Sequence, residues 1–260
     1  MKESGWKDEP GFMVRILKIG GSILTDKSKP SCPRSMEIAR IAREIAAAPF
    51  DLVLVHGAGS FGHVPAKKYG LPEKFSPEGL AITHDSVLKL SGLVVKALSR
   101  AGARPLPVSP LGCTLLKDDR IYHMDLGPIK EMLGRGLIPV LHGDVAMDVT
   151  RGAGIVSGDQ LVSHLAVALK ADLAAIGTNV DGVLQGGTPV ESVTRSDLSG
   201  LDFGPGSGVD VTGGMKSKLL ELLDLADTGI ESQIFNAGRE GLVMRALKGE
   251  RVGTIIRRSD

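Results

Sequence analysis

The chain has 260 residues and a formal net charge of +1, and 42% of its residues are hydrophobic. That length and composition are typical of a globular protein with a sizeable core. The near-zero net charge provides no global field for nucleic acid or an anionic membrane, and the 3% aromatic content leaves few rings to stack on bases. No apolar run reaches the roughly 20 residues that a membrane helix needs. We therefore expect neither nucleic acid nor a membrane as a partner.

The cysteine content favours a reducing compartment. The two cysteines, Cys32 and Cys113, have a separation that suits neither a metal site nor a disulfide framework. We therefore expect a cytoplasmic protein. The first residues are largely polar, with charges throughout, and we interpret residues 1–12 as a flexible extension rather than a signal peptide.

Short apolar runs alternate with amphipathic segments along the chain. We predict strands at 13–19, 51–55, 104–109, 137–142, 172–177, 233–236 and 252–256, a hairpin over 115–122, and helices at 35–48, 86–100, 126–136, 157–170 and 212–228. Residues 66–84 are predicted to be irregular or to form a short helix and a loop, and Asp85 could cap the helix that follows. This alternation predicts an α/β fold, a three-layer αβα sandwich around a mainly parallel central sheet.

One apolar run breaks abruptly into a glycine-rich turn that closes on a histidine. The sequence from Val53 to His63 is VLVHGAGSFGH. Gly57, Gly59 and Gly62 remove side chains where backbone amides could approach an anion, and the histidine adds a titratable ring. The alternative is an ordinary strand-to-helix turn with a solvated histidine.

Polar and glycine-rich segments follow several other predicted strands. The crossovers of a parallel sheet put the carboxyl ends of its strands on one edge, where ligands bind in open α/β sheets. We therefore expect these segments to lie close together. In chain order they are Lys18–Ser22, His56–His63, Gly143–Asp144, Thr178–Gly182 and the helix start at Gly213.

Several motifs together resemble the amino acid kinase family. They are LKIGGS at 17–22, GD at 143–144, SGD at 157–159, TNVDGV at 178–183 and VTGGMKSK at 211–218. The resemblance extends over nearly the whole chain from Met13. It implies one continuous domain of the fold described above, with a phosphate-acceptor-binding lobe at 13–150 and an ATP-binding lobe at 151–260. Family members often carry aspartate where this chain has Asn179, which removes a carboxylate near the nucleotide.

The glycine-rich turn indicates which acceptor is phosphorylated. Its sequence HGAGSFGH at 56–63 resembles the family members that transfer a phosphoryl group from ATP to isopentenyl phosphate, on a mevalonate route of isoprenoid biosynthesis. Magnesium and a homodimer are implied as well. The isoprenoid chain needs an apolar pocket, which we place around Leu80, Ile82 and His84 and along the helix at 86–100. Members that phosphorylate fosfomycin share much of the pattern, and a non-catalytic nucleotide sensor on the same fold is a further alternative.

Phosphoryl transfer between two anions requires concentrated positive charge. Two unit charges about 4 Å apart repel by roughly 4 kcal/mol at an effective dielectric constant of 20, and positioning with charge stabilisation provides most of the catalysis. We predict that Lys18 contacts the transferring phosphoryl group, that Lys27 stabilises it and that Lys218 approaches the β- and γ-phosphates. Lys216 is the alternative to Lys218, because the two lysines face different sides of the predicted helix.

His63 is the fourth predicted catalytic residue. The attacking oxygen belongs to a phosphate that is largely ionised near neutral pH, so no strong base is needed. We predict that the imidazole donates a hydrogen bond to the acceptor phosphate and orients it. His56, at the start of the same motif, is interpreted as a buried structural residue.

The remaining predicted site residues form two groups. The acceptor-binding group is Gly57, Gly59, Gly62, His63, Ser157 and Gly158. The ATP-binding group is Lys18, Gly20, Gly21, Ser22, Ala58, Thr178, Asn179, Asp181, Gly182, Gly213, Gly214, Lys216 and Lys218. No side chain is assigned as a metal ligand, although Asp144 and Asp159 are alternatives for holding Lys18 or magnesium-bound water. Ser157 could equally be a simple helix cap.

Overall fold

The computed structural model describes residues 13–201 and 214–259. Its strands are β1 (Val14–Ile19), β2 (Asp51–His56), β3 (Pro105–Pro107), β4 (Thr114–Lys117), β5 (Arg120–Met124), β6 (Ile138–His142), β7 (Asp144–Asp148), β8 (Gly152–Val156), β9 (Leu173–Thr178), β10 (Leu184–Gln185), β11 (Thr188–Pro189), β12 (Ser192–Val193), β13 (Ser232–Asn236) and β14 (Thr254–Ile256). Its α-helices are α1 (Gly21–Leu24), α2 (Ser35–Ala46), α3 (Gly59–Lys68), α4 (Pro77–Arg100), α5 (Pro110–Cys113), α6 (Gly127–Gly134), α7 (Gly158–Ala168), α8 (Gly214–Asp227) and α9 (Leu242–Leu247), and a 3₁₀ helix spans Arg195–Gly200.

A single large sheet crosses the described part of the chain, in the strand order β12-β14-β13-β9-β1-β2-β6-β3. The pairs from β13 to β3 are all parallel, and β14 is antiparallel to β13. Strand β1 lies between β2 and β9, so the chain leaves β1 towards one side and returns on the other. Such a reversal of strand order is where open α/β sheets form a crevice at the carboxyl ends of their strands.

The alternation of side chains along β1 shows why helices cover both faces of this sheet. Val14 and Ile16 pack into a buried cluster that includes apolar residues of α6, α7 and α8. Leu17 and Ile19 point the other way, into a cluster with α2, α4 and α9, because successive strand residues face opposite sides. The predicted three-layer αβα sandwich is therefore confirmed. Lys18 has the parity of Val14 and Ile16, so its side chain lies on the α7 side of the sheet.

Of two predictions between residues 59 and 100, one is confirmed in part and one is wrong. Residues 66–84 contain the end of α3 and a loop, as the second alternative predicted, but α4 already begins at Pro77. Asp85 does not cap a helix; it lies inside α4 and pairs with Lys89 at 2.7 Å. The cap is Ser76, whose Oγ accepts a hydrogen bond from the amide of Gly79 at 3.1 Å. A proline at the first helical position needs no amide partner, so Pro77 starts this helix rather than interrupting it.

A smaller sheet adjoins the carboxyl edge of the large one. Its strand order is β5-β4-β7-β8, and β7 and β8 form an antiparallel hairpin. The predicted lobe boundary at 150/151 falls in the turn of this hairpin, and the division into an acceptor lobe and an ATP lobe stays a prediction. The predicted extension at 1–12 and Gly213 lie outside the described residues. Within 13–201 and 214–259, no helix combines the length and the apolar character that crossing a bilayer demands.

Candidate active site

The carboxyl ends of four parallel strands meet at one edge of the large sheet. Ile19 is in register with His56, and His56 is in register with His142. A glycine follows β1, β2 and β6 and extends each ladder by one hydrogen bond: Gly20 N donates to Gly177 O, Gly57 N to Ile19 O and Gly143 N to His56 O. A cavity of about 470 Å³ opens directly beyond these glycines. The predicted clustering of the strand-end segments is therefore confirmed.

Two of the glycine turns touch each other through their backbones. A Cβ atom added at Gly57 would lie 2.5 Å from the amide nitrogen of Gly21, and one added at Gly21 would lie 2.4 Å from the amide nitrogen of Gly59. Gly59 also has a φ of +53°, a conformation that residues with a Cβ rarely adopt. The absence of side chains thus brings the turns after β1 and β2 into contact along the cavity.

A carboxylate shared by two lysines lies at the base of the cavity. Asp159, in the first turn of α7, lies 2.7 Å from Lys18 Nζ on β1 and 3.1 Å from Lys218 Nζ on α8. Burial of Lys18, opposed by the charge of Asp159, lowers the pKa of its ammonium group to about 8. Burial alone would raise the pKa of Asp159, but the two lysines lower it to about 2. Asp159 is therefore an anion that fixes the positions of two cations.

Lys27 and His63 also line this cavity. Burial, followed by the positive charge of Lys218, lowers the pKa of Lys27. Partial burial and the charges of Lys27 and Lys18 lower the pKa of His63, which favours its neutral form. A neutral imidazole still has one N–H to donate. All four predicted catalytic residues therefore face one space, and they include three lysines, as an anionic ligand requires.

The acceptor-binding prediction agrees with the lining of the cavity, except that one side chain is already engaged. The glycines at 57, 59, 62 and 158 and the ring of His63 all border it. Ser157 borders it as well, but its Oγ accepts the amide of Gln160 at 3.1 Å and so caps α7. The amide of Gly158 is one of the first in this helix and has no intrahelical acceptor, so it remains suited to an anion.

Most of the predicted ATP-binding residues line the same cavity. They are Gly20, Gly21, Ser22, Ala58, Thr178, Asn179, Gly182, Gly214 and Lys218, together with Lys18. Asn179 Oδ1 accepts a hydrogen bond from Ser22 Oγ at 3.2 Å, which joins the turns after β1 and β9. The Thr178 hydroxyl contacts Val180 O at 3.0 Å.

Two predicted ATP-binding residues do not line the cavity. Asp181 accepts a hydrogen bond from Asn236 at 2.8 Å and pairs with Arg239, so its carboxylate is used away from the cavity. Lys216 is exposed on the other side of α8, whereas Lys218 faces Asp159. The structure thus favours Lys218 over its alternative, because the packing of α8 fixes which side of the helix faces inward.

An apolar end of the cavity was only partly anticipated. Its walls include Ala66 of α3, Val87 of α4 and the register partners Val145 and Ile155 of the β7–β8 hairpin. Val145 and Ile155 could not be assigned to the pocket from the sequence because the β7–β8 hairpin was not predicted. The short apolar run at 153–156 was the available signal.

Of the residues predicted for this pocket, Val87 of the helix at 86–100 lines the cavity, whereas Leu80, Ile82 and His84 do not. Leu80 packs on a cluster that contains Leu71, and Ile82 is 39% exposed. The ring of His84 lies 2.8 Å from Asp144. The sequence had left Asp144 as an alternative for holding Lys18. Its partner in the structure is His84 instead.

The sequence that forms this fold, its glycine turns and its lysine cluster is matched over residues 13–236 by a family model described as "Amino acid kinase family". The chain belongs to the amino acid kinase family. Isopentenyl phosphate kinase from Methanothermobacter thermautotrophicus is 38% identical over 91% of this chain and 96% of its own length. The enzyme of the same name from Methanocaldococcus jannaschii is 35% identical over 94% and 98%. A crystal structure of an isopentenyl phosphate kinase superposes with a TM-score of 0.83 at 34% identity, covering 94% of this chain and 99% of the other.

The contact between the glycine turns predicts a difference between two alanine substitutions. Gly57→Ala places a methyl group against the backbone of Gly21, so we expect a lower melting temperature and at least about tenfold weaker ATP binding. Gly92→Ala is the matched control, because Gly92 is exposed in α4 and an added Cβ meets nothing within 4 Å. It should stabilise the helix by roughly 0.5–1 kcal/mol and leave ATP affinity unchanged. Thermal unfolding and calorimetric titration measure both, and wild-type affinity in Gly57→Ala would contradict the prediction.

Proposed function

We propose that this protein transfers the γ-phosphoryl group of ATP to isopentenyl phosphate, forming isopentenyl diphosphate and ADP. The observation that carries the proposal is that one cavity is lined both by the lysines around Asp159 and by the apolar cluster of Ala66, Val145 and Ile155. A phosphate with a short hydrocarbon chain matches such a cavity, with its anion near the lysines and its chain near Val145 and Ile155. The names of the relatives that match nearly the full chain support the same acceptor.

The proposed chemistry uses positioning and charge rather than a covalent enzyme intermediate. An oxygen of the acceptor phosphate attacks the γ-phosphorus, the bond to the bridging oxygen breaks and ADP leaves. Lys18 and Lys218, held by Asp159, neutralise charge on the transferring group, and Lys27 adds a third cation. Backbone amides of the glycine turns supply fixed donors that need no reorganisation during the reaction. Arranged in this way, the site lowers the repulsion between the two substrates.

His63 would orient the acceptor phosphate as a neutral donor. Its lowered pKa means that the ring gives one N–H without adding another full charge beside Lys27. The acceptor oxygen is already ionised, so the ring has no proton to remove. In this proposal His63 therefore orients the acceptor phosphate and transfers no proton.

Magnesium fits this site as a partner of the nucleotide phosphates. The described residues contain no group of three histidine, cysteine or acidic side chains placed to hold a metal, and Asp159 is engaged by two lysines. Magnesium commonly binds through substrate phosphates and water with few protein ligands, so the residues present are compatible with it. When bound, it would neutralise phosphate charge.

We also propose a homodimer in the cytoplasm. Both cysteines of the chain are free thiols, which suits a reducing compartment. Sedimentation equilibrium measures the oligomeric state directly, and a monomer at micromolar concentration would contradict the dimer.

An acceptor panel tests the proposed function. ADP release is followed with isopentenyl phosphate, dimethylallyl phosphate, fosfomycin and no acceptor. We expect the highest kcat/KM with isopentenyl phosphate. Preference for fosfomycin would favour the phosphonate-kinase alternative, whereas ATP binding without turnover on any acceptor would favour a nucleotide sensor.

The two lysines of α8 provide a matched pair of variants. Lys218→Ala removes a cation that contacts Asp159, so we expect kcat to fall about 100-fold or more. Lys216→Ala removes an exposed lysine of the same helix and should change kcat by less than about threefold. Steady-state assays with saturating ATP measure both. Equal losses in the two variants would remove the special role of Lys218.

Substitutions of His63 separate a donor from a charged group. We expect His63→Ala to lower kcat/KM for isopentenyl phosphate about 100-fold, because a donor to the acceptor is lost. His63→Gln keeps an N–H and should recover part of that loss, while the KM for ATP stays unchanged in both variants. Wild-type kinetics in His63→Ala would exclude His63 from the mechanism.

The lowered pKa of Lys18 predicts a loss of activity at high pH. With a pKa of about 8, the ammonium form is present below that pH and is lost as the pH rises through it. Because kcat/KM reports groups of the free enzyme, it should fall above about pH 8. Asp159→Asn removes the charge that raises this pKa, so its high-pH limb should move to lower pH. A profile that stays flat to about pH 10 would show that Lys18 does not titrate in this range.

A further inference from the structure

Two buried histidines behind the glycine turns have no part in the proposed chemistry. His56 and His142 end the adjacent strands β2 and β6, are in register with each other and are 0% and 1% exposed. Their ring centroids lie 5.4 Å apart. Each is followed directly by a glycine that borders the cavity, Gly57 and Gly143. The rings therefore lie against the inner side of the turns that face the ligand.

The hydrogen bond of His56 defines its tautomer. Nδ1 lies 3.1 Å from the carbonyl oxygen of Gly57, and a carbonyl can only accept, so Nδ1 holds the proton. Nε2 is buried and has no hydrogen-bond partner among the described residues, which suits an unprotonated nitrogen better than an N–H. Burial also lowers the pKa of His56 to about 4. The ring is thus a neutral Nδ1–H donor.

This bond orients the peptide unit between Gly57 and Ala58. In a planar trans peptide, the C=O and the following N–H point in opposite directions. A ring that holds the Gly57 carbonyl on the protein side therefore turns the Ala58 N–H away from it, towards the cavity that Ala58 lines. Within the described residues this amide donates to no acceptor, in contrast to that of Gly57, which bonds Ile19 O at 2.9 Å.

The Ala58 amide borders a space that is bounded by a second amide. A Cβ added at Gly143 would lie 3.3 Å from the nitrogen of Gly158 and 3.8 Å from the nitrogen of Ala58. The missing side chain thus leaves a small volume beside two backbone nitrogens, with the carbonyl oxygen of Val156 3.6 Å from the built Cβ. Two amides beside one volume suit a phosphate oxygen. Lys18 Nζ lies 3.5 Å from a Cβ built on Gly158 rather than on Gly143.

We propose that His56 is a positioning residue for the phosphate acceptor, holding the Gly57 carbonyl so that the Ala58 amide is presented to the acceptor phosphate rather than to ATP, to which the sequence had assigned Ala58. This inference rests on the proposed function for the identity of the anion. His142 makes the corresponding contact with Gly143 O at 3.4 Å. Because this distance is longer than that of His56, we assign His142 the smaller contribution to positioning. The titratable groups near the pair are Asp144, 3.6 Å from His142, and His84, 2.8 Å from Asp144.

Three variants distinguish hydrogen-bond donation by His56 from the packing of its side chain. Asparagine at position 56 places an amide N–H near the position of Nδ1, whereas leucine fills the space without a donor. We expect His56→Leu to raise the KM for isopentenyl phosphate about tenfold with an unchanged KM for ATP, and His56→Asn to restore it to within about threefold. Leu54→Ala, on the same face of β2, should lower the melting temperature without changing either KM. A wild-type KM in His56→Leu, or an equal defect in His56→Asn, would overturn the proposal.

The tautomer can be measured without any substrate. Imidazole ¹⁵N chemical shifts of the wild-type protein should show a neutral Nδ1–H ring for His56 from about pH 6 to pH 8. An Nε2–H ring, or titration within that range, would overturn the proposal even if His56→Leu fails to fold. If wild-type protein does not phosphorylate isopentenyl phosphate, the proposed function fails, whereas the shifts and the affinity of His56→Leu for inorganic phosphate still decide the role of His56.

Discussion

The structure depends on one carboxylate that holds two cations close together. Lys18 and Lys218 approach Asp159 from opposite ends of the chain, and without it their positive charges would repel each other in a poorly solvated space. Burying such groups costs several kcal/mol per ion unless each is paired. These two ion pairs connect β1 and α8 to the first turn of α7. Substrate phosphates entering the cavity meet a charge arrangement that already exists before binding, which reduces the reorganisation needed for phosphoryl transfer.

The glycine turns complement this cluster because backbone donors can approach where side chains cannot. The chain forms them from a repeated plan, in which a buried strand ends and a glycine continues the ladder. This plan occurs after β1, β2 and β6. In two of the three cases the last strand residue is a buried histidine. Two of the glycine turns that border the cavity therefore have a buried histidine directly before them.

The sequence allowed the sheet, its strand ends and the grouping of the lysines and His63 around one cavity to be predicted because their signals are local. An apolar run that ends in glycine marks a strand and its turn at once, as at Leu17–Ser22. Other features depend on pairing between distant residues. The choice of Lys218 over Lys216 required the position of Asp159, 59 residues away in the chain. Val145 and Ile155 became pocket residues only through the register of a hairpin. The start of α4 was not predicted at Pro77, although the missing N–H of a proline suits the first turn of a helix.

The long helix α4 has a consequence for how this protein could change its acceptor. Its early turns carry Thr83 and Val87, which line the cavity, and its later turns carry Leu90 and Leu98, which are fully or almost fully buried in the main core. The side chains of α4 that line the cavity therefore precede, along the same helix, the core side chains Leu90 and Leu98. A substitution in the early turns can reshape the cavity while the later turns keep the helix in place. Divergence towards longer or shorter acceptors would thus require few mutations and no change of architecture.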